Sequence, residues 1–201
     1  MTQVDYYDYE PTVTLLRPVA FIGHPGCATS EIVYDLAALT GLALHDLDRR
    51  IEHEVGQNLW AYARQHGAHA LRQQQAALLP GVLAQQPPGL ILLGEGVVLD
   101  LELLSQVKAW TVLVFLELPA AACYWALRQR IRQHEGTLMH PWLPDRLDDV
   151  QDLWPFLERM QPVMAAAEHR IRTAGQSVHE VVLTLQGLLA TLGTHRGSRN
   201  D

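Results

Sequence analysis

Between an apolar run and a helical segment the chain reads Gly23-His24-Pro25-Gly26-Cys27-Ala28-Thr29-Ser30. A strand, a glycine-rich turn and a helix in that order make a cradle for phosphate, because backbone N–H groups and the helix N-terminus converge on an anion. The full pattern is GxxxxGK[ST], in which the Lys neutralises phosphate and the hydroxyl reaches the metal. Gly23, Gly26 and Ser30 stand at matching positions, while Ala28 replaces the second glycine and Thr29 replaces the Lys. Taken alone, the turn fits a plain strand-to-helix connection better than a nucleotide site. Asp46-Leu47-Asp48 follows the next apolar run, with Asp46 ending a strand at the edge where open parallel sheets place ligands. Ser30 and Asp48 also have a structural reading, each as the cap of the helix that follows. Cys27 heads a predicted helix, a position that can lower a thiol pKa. His66 and His69 are spaced i, i+3 without an adjacent acidic ligand, which reads as surface rather than zinc.

The elements that must position these residues show in the hydrophobic pattern. Apolar runs at Pro18–Ile22, Leu42–Leu44, Leu90–Leu93, Thr111–Leu116 and, more weakly, His169–Arg172 alternate with segments of helical spacing. This is the rhythm of an α/β domain with a mostly parallel sheet, its strands covered on both faces. The length of 201 residues suits one domain, and 48% hydrophobic with 18% charged residues suits a folded, soluble chain. A net charge of −7 argues against nucleic acid as a partner. Cys27 and Cys123 cannot form a disulfide framework, and the N-terminus lacks signal-peptide regions, so a cytoplasmic location is expected. The apolar stretch Ala109–Leu127 contains Glu117 and Pro119 and reads as a buried strand followed by a helix, not a membrane span. Residues 1–16, with Asp5-Tyr6-Tyr7-Asp8-Tyr9-Glu10, read as a flexible acidic and aromatic arm that could dock a protein partner. The folded domain is expected over 17–201, with a turn-rich lid at about 133–149.

Further along stand Gly67-Ala68-His69-Ala70-Leu71-Arg72, Gly94-Glu95-Gly96, His140-Pro141-Trp142-Leu143 and Glu158-Arg159-Met160. In this order and spacing, with the loop and the Asp46-Leu47-Asp48 segment, the set resembles the shikimate kinase family of P-loop, nucleoside-monophosphate-kinase-like proteins over residues 18 to 192. The resemblance implies a three-layer fold with a five-stranded parallel sheet flanked by helices, a mobile lid, ATP as phosphoryl donor and the 3-hydroxyl of shikimate as acceptor. It assigns Asp48 to the shikimate hydroxyls, Arg72 and Arg159 to its carboxylate, and Gly94, Glu95 and Gly96 to the same pocket. Asp46 takes the place of the acid near magnesium and the reacting hydroxyl, and Ser30 that of the metal-side hydroxyl. Gly23, Gly26, Ala28, Thr29, Ser30, Arg128 and His140 fall at nucleotide-side positions.

The donor side departs from the family. The chain's single Lys is Lys108, far from the loop. Glu95 interrupts a glycine triplet, and His140 replaces the lid arginine with a residue mostly neutral at pH 7. Phosphoryl transfer rests on positioning and charge stabilisation, so these changes remove mechanism. The reading that follows is a shikimate-kinase-like fold with a degenerate ATP and magnesium site, acting as a binding or regulatory module for a small hydroxylated carboxylate. The alternatives are an atypical active kinase using Arg128, Arg130 or Arg132, and a scaffold protein.

Overall fold

The computed structural model describes residues 13–133, 140–144 and 146–195. Five strands form one parallel sheet in the order β3-β4-β2-β5-β6: β2 (Val19–Gly23), β3 (Leu44–Asp46), β4 (Leu90–Leu92), β5 (Val112–Glu117) and β6 (His169–Arg172). The central strand β2 is buried along its whole length, and its residues alternate between two cores. Ala20 and Ile22 face one layer, with Leu113 and Phe115 of β5. Val19 and Phe21 face the other, with Val114 and Leu116. This two-sided burial explains why the inner strands β2, β4 and β5 appear in sequence as unbroken apolar runs, while the edge strands β3 and β6 are mixed.

The first layer is built by α2 (Leu47–Val55), α3 (Leu59–Leu83), the short α4 (Glu95–Val98), α5 (Leu101–Trp110), α6 (Ala120–Gln133) and α7 (Trp154–Ala166). The second is built by α1 (Thr29–Thr40) and α8 (Val178–Leu192). Helix α1 buries Ile32, Val33 and Leu36 and ends at Gly41, whose φ of 69° lets its N–H reach Ala37 O. Helix α8 begins with a capping box between Ser177 and Glu180. Helix α3 is broken at Gly67, where φ is 86° and ψ is 157°.

One boundary differs from the sequence expectation. Residues 13–15 were expected in the arm; they form β1 (Val13–Leu15), paired antiparallel with β7 (Gly193–His195). Val13 and Leu15 are buried in the α1/α8 layer. A three-residue strand has too short a period to be read, and its partner lies at the opposite end of the chain. Residues 1–12 of the expected arm, and residues 134–139 and 145 of the expected lid, lie outside the described residues. The stretch Ala109–Leu127 divides among the end of α5, β5 and the start of α6. No helix among the described residues is long and apolar enough to cross a membrane.

Candidate functional site

The carboxyl ends of β2, β3 and β4 open onto a cleft of about 730 Å³. Gly23, Thr29 and Ser30 line it from the glycine-rich turn, and Asp46 and Asp48 from the β3–α2 junction. Glu95, His140 and Trp142 line it as well.

The turn keeps a sharply curved shape without its second glycine. Gly26 has φ of +88°, and Ala28 lies in the left-handed region at φ 56°, ψ 32°. A residue with a Cβ pays about 1–2 kcal/mol there, so the surrounding fold imposes the conformation. Ala28 is also the N-cap of α1, and no side chain bonds to that cap, so the capping alternative for Ser30 is not realised. At the Lys position, the Thr29 hydroxyl lies 2.9 Å from Cys27 Sγ. Both side chains press on the Gly23 α-carbon, where an added Cβ would overlap them. Burial pushes the Cys27 thiol up to about 11, the reverse of the lowering expected at a helix start. The Thr29 hydroxyl and the backbone N–H groups of Thr29 and Cys27 pull the other way, and desolvation outweighs them.

His24, which was not singled out in the sequence, anchors this turn. Its backbone N–H donates to Leu116 O at 3.0 Å, and its Nδ1 accepts from the Leu118 N–H at 3.1 Å. The ring sits edge-on to Phe115, and burial holds its pKa below the usual value. A neutral imidazole is the state that can accept at Nδ1.

Of the two acids, it is Asp46 that caps α2. Its Oδ1 accepts from the Arg49 N–H and its Oδ2 from the Tyr34 hydroxyl, both at 3.0 Å. The capping alternative for Asp48 is therefore corrected: its carboxylate turns inward, with Oδ1 3.4 Å from Gln75 Nε2. Burial, reinforced by Asp46 and Glu95, raises its pKa to about 7. A Cβ on Gly94 would overlap Asp48 Oδ1, and one on Gly96 would overlap the Gln75 amide and the Trp142 ring. Gly94 and Gly96 are thus points of close approach to these side chains, while Glu95 between them lies on the cleft wall. Gln75, fully buried with Oε1 lacking a partner, could not be distinguished in sequence from its neighbours Gln73 and Gln74.

The two most conspicuous departures in this half of the site touch each other. His140 Nε2 lies 2.8 Å from Glu95 Oε2. The other ring nitrogen, Nδ1, accepts from the Trp142 N–H at 3.2 Å, so the proton sits on Nε2 and donates to Glu95.

The cationic candidates are dispersed. Arg130 lines the cleft, whereas Arg128 donates to Leu147 O at 2.8 Å and stacks on Tyr124. Arg132 is exposed. Arg72 is half-buried on α3 and Arg159 exposed on α7, and neither is on the cleft wall. Gly26 and Ala28 border a second cavity, of about 310 Å³, behind the turn, closed by small residues of α6 and of the β6–α8 loop, including Ala122, Ala126 and Gly175. Small apolar side chains carry no chemical signature, so no sequence motif marks this space. Among the described residues, no group of three or more His, Cys, Asp or Glu is placed to hold a metal.

Comparison with known proteins agrees with this architecture. The shikimate kinase of Xanthomonas campestris pv. campestris (strain 8004) is 28% identical over 172 residues, spanning 79% of this chain and 92% of that protein. The shikimate kinase of Persephonella marina is 22% identical over 172 residues, spanning 86% of this chain and 98% of its own. In fold, a shikimate kinase from Acinetobacter baumannii solved in complex with shikimate superposes with a TM-score of 0.72 at 19% identity, over 88% of this chain and 94% of that one. The shikimate kinase from Bacteroides thetaiotaomicron gives 0.67 at 17% identity, over 86% and 98%. The sequence family described as shikimate kinase matches residues 25–189, which hold most of the glycine-rich turn, both acids and the Glu95–His140 pair. With four strands of the parallel sheet inside that span and the cleft at their carboxyl ends, the chain belongs to the shikimate kinase family.

Proposed function

We propose that this chain is a family member whose phosphoryl-donor half is degenerate and whose cleft serves as a binding or regulatory module for a small hydroxylated compound. The observation that carries this reading is the Thr29 hydroxyl on Cys27 Sγ at the position of the family's Lys. No cation replaces that Lys within the turn, and removing one preorganised donor costs on the order of 10²–10³ in rate. The residues present do not suit ATP with magnesium. The Lys is absent, both Asp46 oxygens are engaged by Tyr34 and Arg49, and Glu95 places an acid on the wall where phosphate would lie. The acceptor half supports a hydroxylated ligand through Asp48, which reaches the cleft. Shikimate is the reference compound, because the Acinetobacter relative was solved with it.

A second reading, an atypical kinase, rests on Arg130, which lines the cleft and could carry the missing charge. A coupled assay with MgATP and shikimate, combined with calorimetry, separates the two. The first reading expects no turnover and MgATP binding weaker than about 100 μM. Turnover, or binding tighter than about 10 μM, equivalent to about −6.8 kcal/mol, overturns it.

A further inference from the structure

We propose that Glu95, held in place by His140, sets the charge of the ligand, so that this cleft takes a hydroxylated compound without an acid group and rejects a carboxylate or phosphate. This rests on the reading of the cleft as a small-molecule site and is independent of whether phosphoryl transfer occurs.

Three observations support it. First, Glu95 lies between two points of close approach, Asp48 against Gly94 and Gln75 with Trp142 against Gly96, and its side chain is on the cleft wall. Second, the His140 ring contributes no cancelling charge. Its Nδ1 lone pair is used by the Trp142 N–H at 3.2 Å, and an imidazolium has no lone pair to offer. The 2.8 Å contact to Glu95 is therefore a neutral imidazole N–H on a carboxylate, which orients the acid and leaves its negative charge in the cleft.

Third, the charged groups around Glu95 are mostly acids. Asp46, Asp48 and Glu52 share the wall, against the guanidiniums of Arg49 and Arg130. Arg49 is spread over the Tyr34 ring, 5.7 Å from its centroid. Arg72 and Arg159 are not on the wall. Beneath the same turn, buried Gln75 has an unpartnered Oε1. The neutral donors on the wall, Thr29, Ser30, Asn58 and the unpartnered Trp60 Nε1, serve a hydroxyl oxygen as well as an anion, so the excess of carboxylates sets the charge preference.

The test uses shikimate and its uncharged methyl ester, titrated calorimetrically at pH 7.5 into the wild type and Glu95→Gln, which keeps the side-chain length and an oxygen for the His140 N–H. The wild type is expected to prefer the ester. Glu95→Gln is expected to tighten shikimate at least tenfold while changing the ester less than twofold. A Gln variant that keeps the wild-type ratio of the two affinities, or a wild type that prefers the acid, overturns the inference and leaves the binding-module reading standing. Failure of both proteins to bind either probe overturns both. His140→Ala supplies a second handle, because it removes the orienting donor and keeps the acid. It is expected to retain the preference for the ester, and loss of that preference overturns the assignment to Glu95. Thermal unfolding of each variant checks that it is folded.

Discussion

Asp48 and Gln75 meet beneath the Gly94–Gly96 turn, with Asp48 Oδ1 3.4 Å from Gln75 Nε2. The amide is the one group there that lowers the acid's pKa, and it is outweighed by burial and by Asp46 and Glu95, so the carboxyl rises to about 7. An unfolded chain returns it to about 4. Between those values the folded chain holds a proton that the unfolded chain releases. This group's contribution to stability is therefore present at pH 4 and is lost as pH rises to about 7. Because Asp48 borders the cleft, the loss between pH 5 and pH 7.5 is expected to be only about 1–2 kcal/mol. Urea unfolding of the wild type and Asp48→Asn at the two pH values checks it, and the Asn variant is expected to lack that component of the slope.

The glycine-rich turn offers a test of backbone strain. Ala28 at φ 56° gives up about 1–2 kcal/mol relative to an unstrained residue, and glycine costs about 0.5–1 kcal/mol in chain entropy. Ala28→Gly is therefore expected to stabilise by about 0.5 kcal/mol. Gly26→Ala is expected to destabilise by about 1–3 kcal/mol, because it adds the same strain and sets a Cβ 2.8 Å from Ala126 Cβ. Chemical denaturation midpoints measure both.

Restoring the donor half requires more than the charge. Ala28→Gly, Thr29→Lys and Glu95→Gly together return the flexible backbone, the cation and the glycine triplet. MgATP affinity is expected to rise at least tenfold, about 1.4 kcal/mol. Turnover is expected to lag, because His140 remains and loses its partner. An unchanged affinity by calorimetry would show that the turn does not cradle phosphate.

The cysteines are expected to be inert in the folded protein. Burial pushes Cys27 up to about 11 and Cys123 up to about 12. At pH 8 a thiol reagent is expected to react roughly 100-fold or more slowly with the native chain than with the unfolded one. Fast labelling of one thiol under native conditions would contradict the buried placement of both.

Much of the scaffold was legible from the chain alone, because burial on both faces leaves a direct imprint. The three inner strands β2, β4 and β5 are buried apolar runs, whereas the edge strands β3 and β6 are mixed and only partly buried, and Asp46 was placed at a strand end by its position after an apolar run. The motif order likewise carried the family, since each motif sits beside its strand or helix. Short-range geometry was less legible. Which acid caps α2 depends on which carboxylate the backbone turns toward the helix N-terminus, and Asp46 and Asp48 are equivalent in type.

Tertiary structure alone decided how distant departures combine. Glu95 and His140 are separated along the chain by α4, α5, β5 and α6, and nothing in either residue's local sequence announces a 2.8 Å contact. The same holds for Gln75 under Gly94 and Gly96, and for Arg72 and Arg159, whose types suit a carboxylate but which do not line the cleft. The physical reason is one of range. Periodicity and turn chemistry act over a few residues and are written in consecutive letters, whereas charge pairing and close approach are set by how whole layers pack.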